Sequence, residues 1–237
     1  MNQLNAVLLS KEYVSGDVCR FVFYSTSGSF IFTPGQYAIL TIPGQTPVKR
    51  LYSIAGPVNN NGEFELLIKI VEGGVGSQYL KTLSVGSVVD VGGPAGLFRQ
   101  QASEKKKIYM ATGTGYAPIR SFFLSSLSQD LRNNTLFWGM RTIDETYLFD
   151  ELYNLHKQKG LSFYYCLSKQ TDLTSIPAYL LQHYRTDHIP EVWRSVAGQP
   201  QKDDEFYLCG SRTVVESLRL LLLSQGVPKE TVFFEKY

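Results

Sequence analysis

Cysteine and histidine are scarce in this chain. Three cysteines, Cys19, Cys166 and Cys209, are scattered through 237 residues. An odd, scattered set argues against a disulfide framework. It also cannot hold an iron–sulfur cluster, which takes four ligands, usually closely spaced thiolates. His156, His183 and His188 show no metal spacing with cysteine or carboxylates, and no Ser/His/Asp arrangement can be assembled. The net charge is only +2 and no basic stripe interleaves aromatics, which argues against nucleic acid as a partner. No apolar run reaches the length of a membrane span, and the opening MNQLNAVLLSKEY has no basic region before an apolar core. The expectation is a cytoplasmic protein without membrane insertion, and a monomer.

What is present suits a globular chain of one large or two small domains, with 43% hydrophobic and 19% charged residues. The first part reads as β, with alternating segments at 4–10, 18–25, 36–42, 49–54, 63–71 and 87–92. Turns such as Asn59-Asn60-Asn61-Gly62 separate them. This pattern predicts a six-stranded antiparallel β-barrel, with one short helix after Gly76 capped by Ser77. The polar run Glu104-Lys105-Lys106-Lys107 marks a boundary, giving domains 1–103 and 104–237. The lysines read as a solvated linker, or as a docking surface for an acidic partner.

Beyond the boundary the period changes. Apolar strands at 107–112, 134–139, 161–167, 204–209 and 230–235 alternate with helical stretches near 117–128, 146–158, 175–184 and 211–225. That order predicts an α/β doubly wound parallel five-stranded sheet. The stretch 185–204 has no clear period and reads as a long loop.

Three segments carry chemistry. Arg50-Leu51-Tyr52-Ser53 ends an alternating strand, so Arg50 and Tyr52 project to one face and Ser53 to the other. A guanidinium can meet a phosphate through a bidentate fork, an aromatic face can lie against a flat ring system, and a hydroxyl can reach a ring nitrogen. Gly73-Gly74-Val75-Gly76-Ser77 follows a strand and opens a helix, where free amides attract an anion. Gly113-Thr114-Gly115 follows the first strand of the second half and precedes a helix with Pro118 in its first turn. A doubly wound sheet binds a dinucleotide diphosphate at that position, although the full G-x-G-x-x-G fingerprint is absent.

These segments and four others resemble the ferredoxin–NADP reductase family, in family order. They are RLYSIA (50–55), GGVGSQYL (73–80), GPAGLF (93–98), ATGTGYAP (111–118), WGMR (138–141), YLCG (207–210) and the closing Phe234-Glu235-Lys236-Tyr237. The resemblance fades after residue 185, where relatives commonly have a Gly-led helix start and His188-Ile189-Pro190 stands instead.

The resemblance implies a single-component flavin-dependent NAD(P)H oxidoreductase without an iron–sulfur domain. Its flavin, FAD, would be held by Arg50, Leu51, Tyr52, Ser53, Gly74, Val75, Gly76 and Ser77, with Tyr237 covering the ring. FMN is the alternative, because the short 57–62 turn leaves little obvious surface for an adenine. The nicotinamide dinucleotide would meet Gly113, Thr114, Gly115, Pro118, Arg141, Ser168, Lys169, Cys209 and Gly210, and would dock between the two halves. NADPH is the expected form. Ser168-Lys169 follows the third strand, where relatives contact the 2′-phosphate with Ser and Arg, and no acidic residue stands at once after it. Ser53, Cys209 and Glu235 would line the path of hydride transfer. Partners are NADPH and a ferredoxin- or flavodoxin-type protein. The alternatives are a reductase of free flavins, an electron-transfer component of an oxygenase, and a non-catalytic flavoprotein that relays electrons or senses redox state. Taken alone, Cys19 and Cys166 read as small core residues.

Overall fold

Alternating apolar residues place the first strands close to where the sequence predicts them. The computed structural model describes residues 3–27, 29–125 and 130–237. Strands β1 (Gln3–Tyr13), β2 (Val18–Ser25), β3 (Tyr37–Ile42), β4 (Val48–Ser53), β5 (Glu63–Lys69) and β6 (Val88–Ala95) pair antiparallel in the order β4-β3-β6-β1-β2-β5. The sheet closes at a single seam. Ile54 bridges Leu66, and the Ala55 amide donates to the Glu65 carbonyl at 2.8 Å. Inside lie Phe21, Phe23, Leu40, Phe64 and Leu66, all buried, and helix α1 (Val75–Thr82) adds Leu80 to this core.

Helix α1 begins earlier than expected. Gly74 occupies the N-cap position, and Ser77 lies inside the first turn. Its hydroxyl accepts from the Val71 amide at 2.9 Å, so it holds the preceding turn instead of capping the helix.

The second sheet is formed by β7 (Lys107–Thr112), β8 (Asn134–Met140), β9 (Ser162–Leu167), β10 (Tyr184–Arg185), β11 (Glu205–Gly210) and β12 (Val232–Lys236). Every ladder is parallel, in the order β10-β9-β8-β7-β11-β12. Six strands replace the expected five. The addition is β10, two residues paired with Tyr165 and Cys166, too short to show a period. Helices α2 (Tyr116–Ser125), α3 (Phe149–Lys159), α4 (Ile189–Ala197) and α5 (Arg212–Ser224) complete the chain. Residues 126–128, the end of the helix expected at 117–128, lie outside the described residues.

Three further expectations are corrected. The supposed loop 185–204 contains α4, which Pro190 starts without loss because first-turn amides have no intrahelical acceptor. Ile189, Val192 and Trp193 are buried on one side of it, with the Trp193 ring edge-on to Phe206 at 5.7 Å. The stretch expected as a helix at 175–184 holds only a 3₁₀ turn, Ala178–His183. Lys107 is also not solvated. It pairs in register with Glu205, both are buried, and its ammonium lies 3.8 Å from that carboxylate while donating to Ser103.

The chain divides into two compact units, residues 1–100 with 117–127 and residues 101–116 with 128–237. Most of α2 therefore belongs with the barrel, and Arg120 shows why. Buried, it donates to the Ala55 carbonyl and to the Glu65 carboxylate, each at 2.9 Å, at the seam of the barrel. Ser121 adds a bond to the Gly56 carbonyl at 2.7 Å. Among the described residues no helix is long and apolar enough to cross a membrane.

Candidate functional site

In the barrel unit, pairing of β4 with β3 sets Arg50 opposite Leu40 and Tyr52 opposite Ala38. The side chains of Arg50 and Tyr52 turn toward the start of α1. A Cβ built on Gly76 would meet the Tyr52 hydroxyl at 2.6 Å and the Arg50 Cγ at 3.3 Å. Glycine at 76 thus lets the helix opening come against both side chains. Gly73, with φ +73, turns the chain into this approach. The amides of Val75, Gly76 and Ser77 open the helix, where no intrahelical acceptor precedes them. No acidic residue stands in that turn. The helix-opening amides thus lie against the aliphatic stem of Arg50, whose guanidinium donates to the Lys49 carbonyl at 3.0 Å; free amides at a helix start attract an anion. Burial holds the Tyr52 phenol above its ordinary pKa, against the lowering influence of Arg50. Leu51 is exposed, and Ser53 is half-buried opposite Tyr37.

In the second unit all six strands end on one edge, and the sequence-predicted residues gather there. Strand order reverses at β7, which has β8 on one side and β11 on the other. Ligands of doubly wound sheets sit outside such a switch point. The turn Gly113–Gly115 leaves β7 there, and a Cβ on Gly115 would stand 2.2 Å from the Cys209 carbonyl oxygen. Gly210, with φ +152, is equally constrained, since a Cβ there would meet the Thr112 hydroxyl at 2.1 Å. The Gly113 carbonyl accepts from the Trp138 indole at 2.9 Å and from the Tyr147 hydroxyl at 3.2 Å. Trp138 belongs to the quoted WGMR segment; Tyr147 and the seam clamp Arg120 had no recognisable sequence signal beyond a polar group within an apolar stretch.

Cys209 pairs with Glu235 across β11 and β12 and is itself buried. Burial, and then the charge of Glu235, push its thiol well above the usual range, so it stays protonated. Glu235 is half-buried. Tyr237 is 63% exposed, yet its hydroxyl donates to the Thr112 carbonyl at 3.2 Å and lies 3.3 Å from the Thr114 hydroxyl. Burial of that group pushes its pKa up to about 12. Main-chain bonds from Tyr237 to Gly210 and from Arg212 to Tyr237 hold the last residue in place. Arg141 and Lys169, both exposed, follow β8 and β9 and are joined by a main-chain bond of 2.8 Å; Ser168 precedes Lys169 and donates to the Met140 carbonyl. Pro118 is buried in the first turn of α2.

Comparison with known proteins matches a family to each part of the chain. Residues 5–100 match the oxidoreductase FAD-binding domain family, and residues 109–219 the oxidoreductase NAD-binding domain family. A ferredoxin–NADP reductase B of Sorangium cellulosum is 32% identical over 217 residues, 88% of this chain and 86% of that protein. The reductase component of propane 2-monooxygenase from Rhodococcus jostii is 29% identical over 87% of this chain, which spans only 55% of that protein. Among solved structures, the flavohem-like FAD/NAD-binding domain of a Vibrio cholerae nitric oxide dioxygenase superimposes with a TM-score of 0.85 at 22% identity, covering 99% of this chain and 98% of that one. The ferredoxin–NADP+ reductase of Plasmodium falciparum gives 0.79 at 22% identity, covering 100% and 97%. Both share the fold. With tandem FAD-binding and NAD-binding families matched, and a relative covered over most of its length, this chain belongs to the ferredoxin–NADP reductase family of FAD-dependent NAD(P)H oxidoreductases.

Proposed function

We propose that this protein moves a hydride between NADPH and FAD, and single electrons between FAD and a ferredoxin- or flavodoxin-type acceptor. Residues 1–103 would serve the flavin and 104–237 the nucleotide. The observation that carries the reading is the cradle at Gly76, where the missing side chain leaves helix-opening amides against Arg50 and Tyr52. An FAD diphosphate fits that donor set.

When bound, the flavin supplies the redox chemistry, exchanging two electrons with nicotinamide and one at a time with a protein. The chain's own residues bind and align. Arg50 and the opening of α1, from Gly74 to Ser77, would hold the diphosphate, while Leu51 and Tyr52 would lie against the ring and Ser53 would hydrogen-bond to flavin N5. Gly113, Thr114, Gly115 and Pro118 would receive the dinucleotide diphosphate. Arg141, Ser168 and Lys169 would hold the 2′-phosphate. Cys209 and Gly210 would flank the nicotinamide, with Glu235 hydrogen-bonding nearby. Because the Cys209 thiol stays neutral, its work is alignment, not nucleophilic attack. Tyr237 would cover the flavin ring.

Similarity to the Sorangium reductase over 86% of its length supports the ferredoxin-type acceptor. Similarity to several monooxygenase reductase components supports a second reading, electron supply to an oxygenase. Steady-state NADPH oxidation with ferredoxin, flavodoxin and free flavins as acceptors tests the choice. Fastest turnover with ferredoxin or flavodoxin is expected. Preference for free flavins would make it a flavin reductase, and no turnover with any acceptor would leave a relay subunit.

A further inference from the structure

One main-chain oxygen of the second unit has more donors than its turn needs. The 3₁₀ turn Gly113–Gly115 closes when the Tyr116 amide donates to the Gly113 carbonyl. That same oxygen accepts from the Trp138 indole at 2.9 Å and from the Tyr147 hydroxyl at 3.2 Å. Both side chains are buried, and their rings meet edge to face with centroids 4.7 Å apart. Trp138 also packs on the Tyr116 ring at 4.1 Å. Tyr147 is held from behind as well, since the hydroxyl of the fully buried Tyr165 donates to its carbonyl at 2.6 Å.

The backbone is strained at the same place. Leu148, directly after Tyr147, has φ +56, and among the described residues it is the single non-glycine residue at positive φ. It is the N-cap of α3, a position that ordinarily takes extended backbone, so starting the helix does not require this conformation. Strain of this kind persists where the surroundings over-determine it, and it clusters at ligand clamps.

Pinning the Gly113 oxygen also sets the next amide. In a planar trans peptide the carbonyl and the following N–H point opposite ways, so the Thr114 N–H points away from Trp138 and Tyr147. Thr114 stands just beyond β7, where the strand order reverses and doubly wound sheets receive a dinucleotide diphosphate. We propose that Tyr147 is a positioning residue for the nucleotide: with Trp138 it orients the Gly113–Thr114 peptide so that its amide is presented to the diphosphate. The proposal rests on the nucleotide reading above and adds to it a residue that acts through a main-chain carbonyl.

The test separates the diphosphate from the rest of the ligand. Affinities of the full chain for 2′-phospho-ADP-ribose, which carries a diphosphate, and for adenosine 2′-monophosphate, which does not, are measured by calorimetry. The parent should bind the first more tightly. Tyr147→Phe keeps the ring and removes only the hydroxyl. It should weaken 2′-phospho-ADP-ribose about fivefold, the scale of one net hydrogen bond, and leave adenosine 2′-monophosphate bound as in the parent. In turnover it should raise the KM for NADPH with kcat held. Undiminished binding of adenosine 2′-monophosphate reports that the unit is folded. If Tyr147→Phe does not fold, Tyr165→Phe, which loosens Tyr147 from behind, should show the same selective loss. Unchanged affinity for both probes, equal weakening of both, or a parent that binds the two alike overturns the positioning role and leaves the nucleotide reading standing. A parent that binds neither overturns both.

Discussion

Gly115 and Cys209 meet backbone to backbone: a methyl group on the glycine would lie 2.2 Å from the cysteine carbonyl oxygen. Gly115→Ala must therefore push the Gly113–Gly115 turn away from the end of β11. A displacement near 1 Å can cost on the order of 100-fold, and we expect that loss in the rate of flavin reduction by NADPH, with flavin still bound. Gly113→Ala makes the contrast. Its site has φ +51 but nothing within 4 Å of a Cβ, so its cost should stay near the left-handed conformational penalty of about 1–2 kcal/mol. Stopped-flow traces for the two variants should differ widely; equal impairment would mean that crowding against Cys209 is not the constraint.

Arg120 should matter for stability out of proportion to its place in an apolar helix. It is 3% exposed and binds both Ala55 and Glu65 at the barrel seam. Removing one partner of a buried pair costs about 3–5 kcal/mol, and the partial exposure of Glu65 sets the lower end. Arg120→Ala should lower the urea midpoint accordingly, and Arg120→Lys should recover only part, because an ammonium lacks the guanidinium fork. A midpoint within experimental error of the parent would refute the clamp.

Lys169 and Arg141 should decide between NADPH and NADH. Lys169→Ala should lower the NADPH/NADH ratio of kcat/KM several-fold, and adding Arg141→Ala should lower it further, since each removes a cation from the same strand edge. The main-chain bond joining the two residues stays intact in both variants. An unchanged ratio in the double variant would move the 2′-phosphate elsewhere.

Stability should fall at both ends of the pH range. Burial holds His183 below its ordinary pKa, so below about 6.5 the unfolded chain binds a proton the folded chain refuses, and stability is lost as pH falls. Burial holds Cys166, Cys209, Tyr109, Tyr165 and Tyr207 above theirs. Their contribution is fully present below about pH 8.5, where the unfolded thiols begin to ionise, and is lost as pH rises. Within its window each group contributes roughly 1.4 kcal/mol per pH unit. Urea midpoints from pH 5 to 10 check this, and His183→Phe should flatten the acid side alone.

Much of this was legible in the chain. Strands β2 to β6 follow period-two alternation, a local property, and lie within a few residues of their expected ends. The motif segments were likewise readable, because several of them pair a glycine with the end of a strand or the start of a helix. Where the sequence misled, the cause was a partner that periodicity does not reveal. Ser77 looks like a cap until Val71 takes its oxygen. Lys107 looks like part of a solvated run until β11 brings Glu205 beside it.

The sequence by itself determined that a β half precedes an α/β half, and which segments resemble the flavin and nucleotide motifs of the family. Tertiary structure alone decided that β11 lies beside β7 and so presses Cys209 on Gly115, that Gly76 abuts Arg50 and Tyr52, and that Arg120 closes the barrel seam. The physical reason is that periodicity records which face of a strand is buried. Which strand becomes its neighbour depends on burying apolar surface far away along the chain, and no local pattern carries that information.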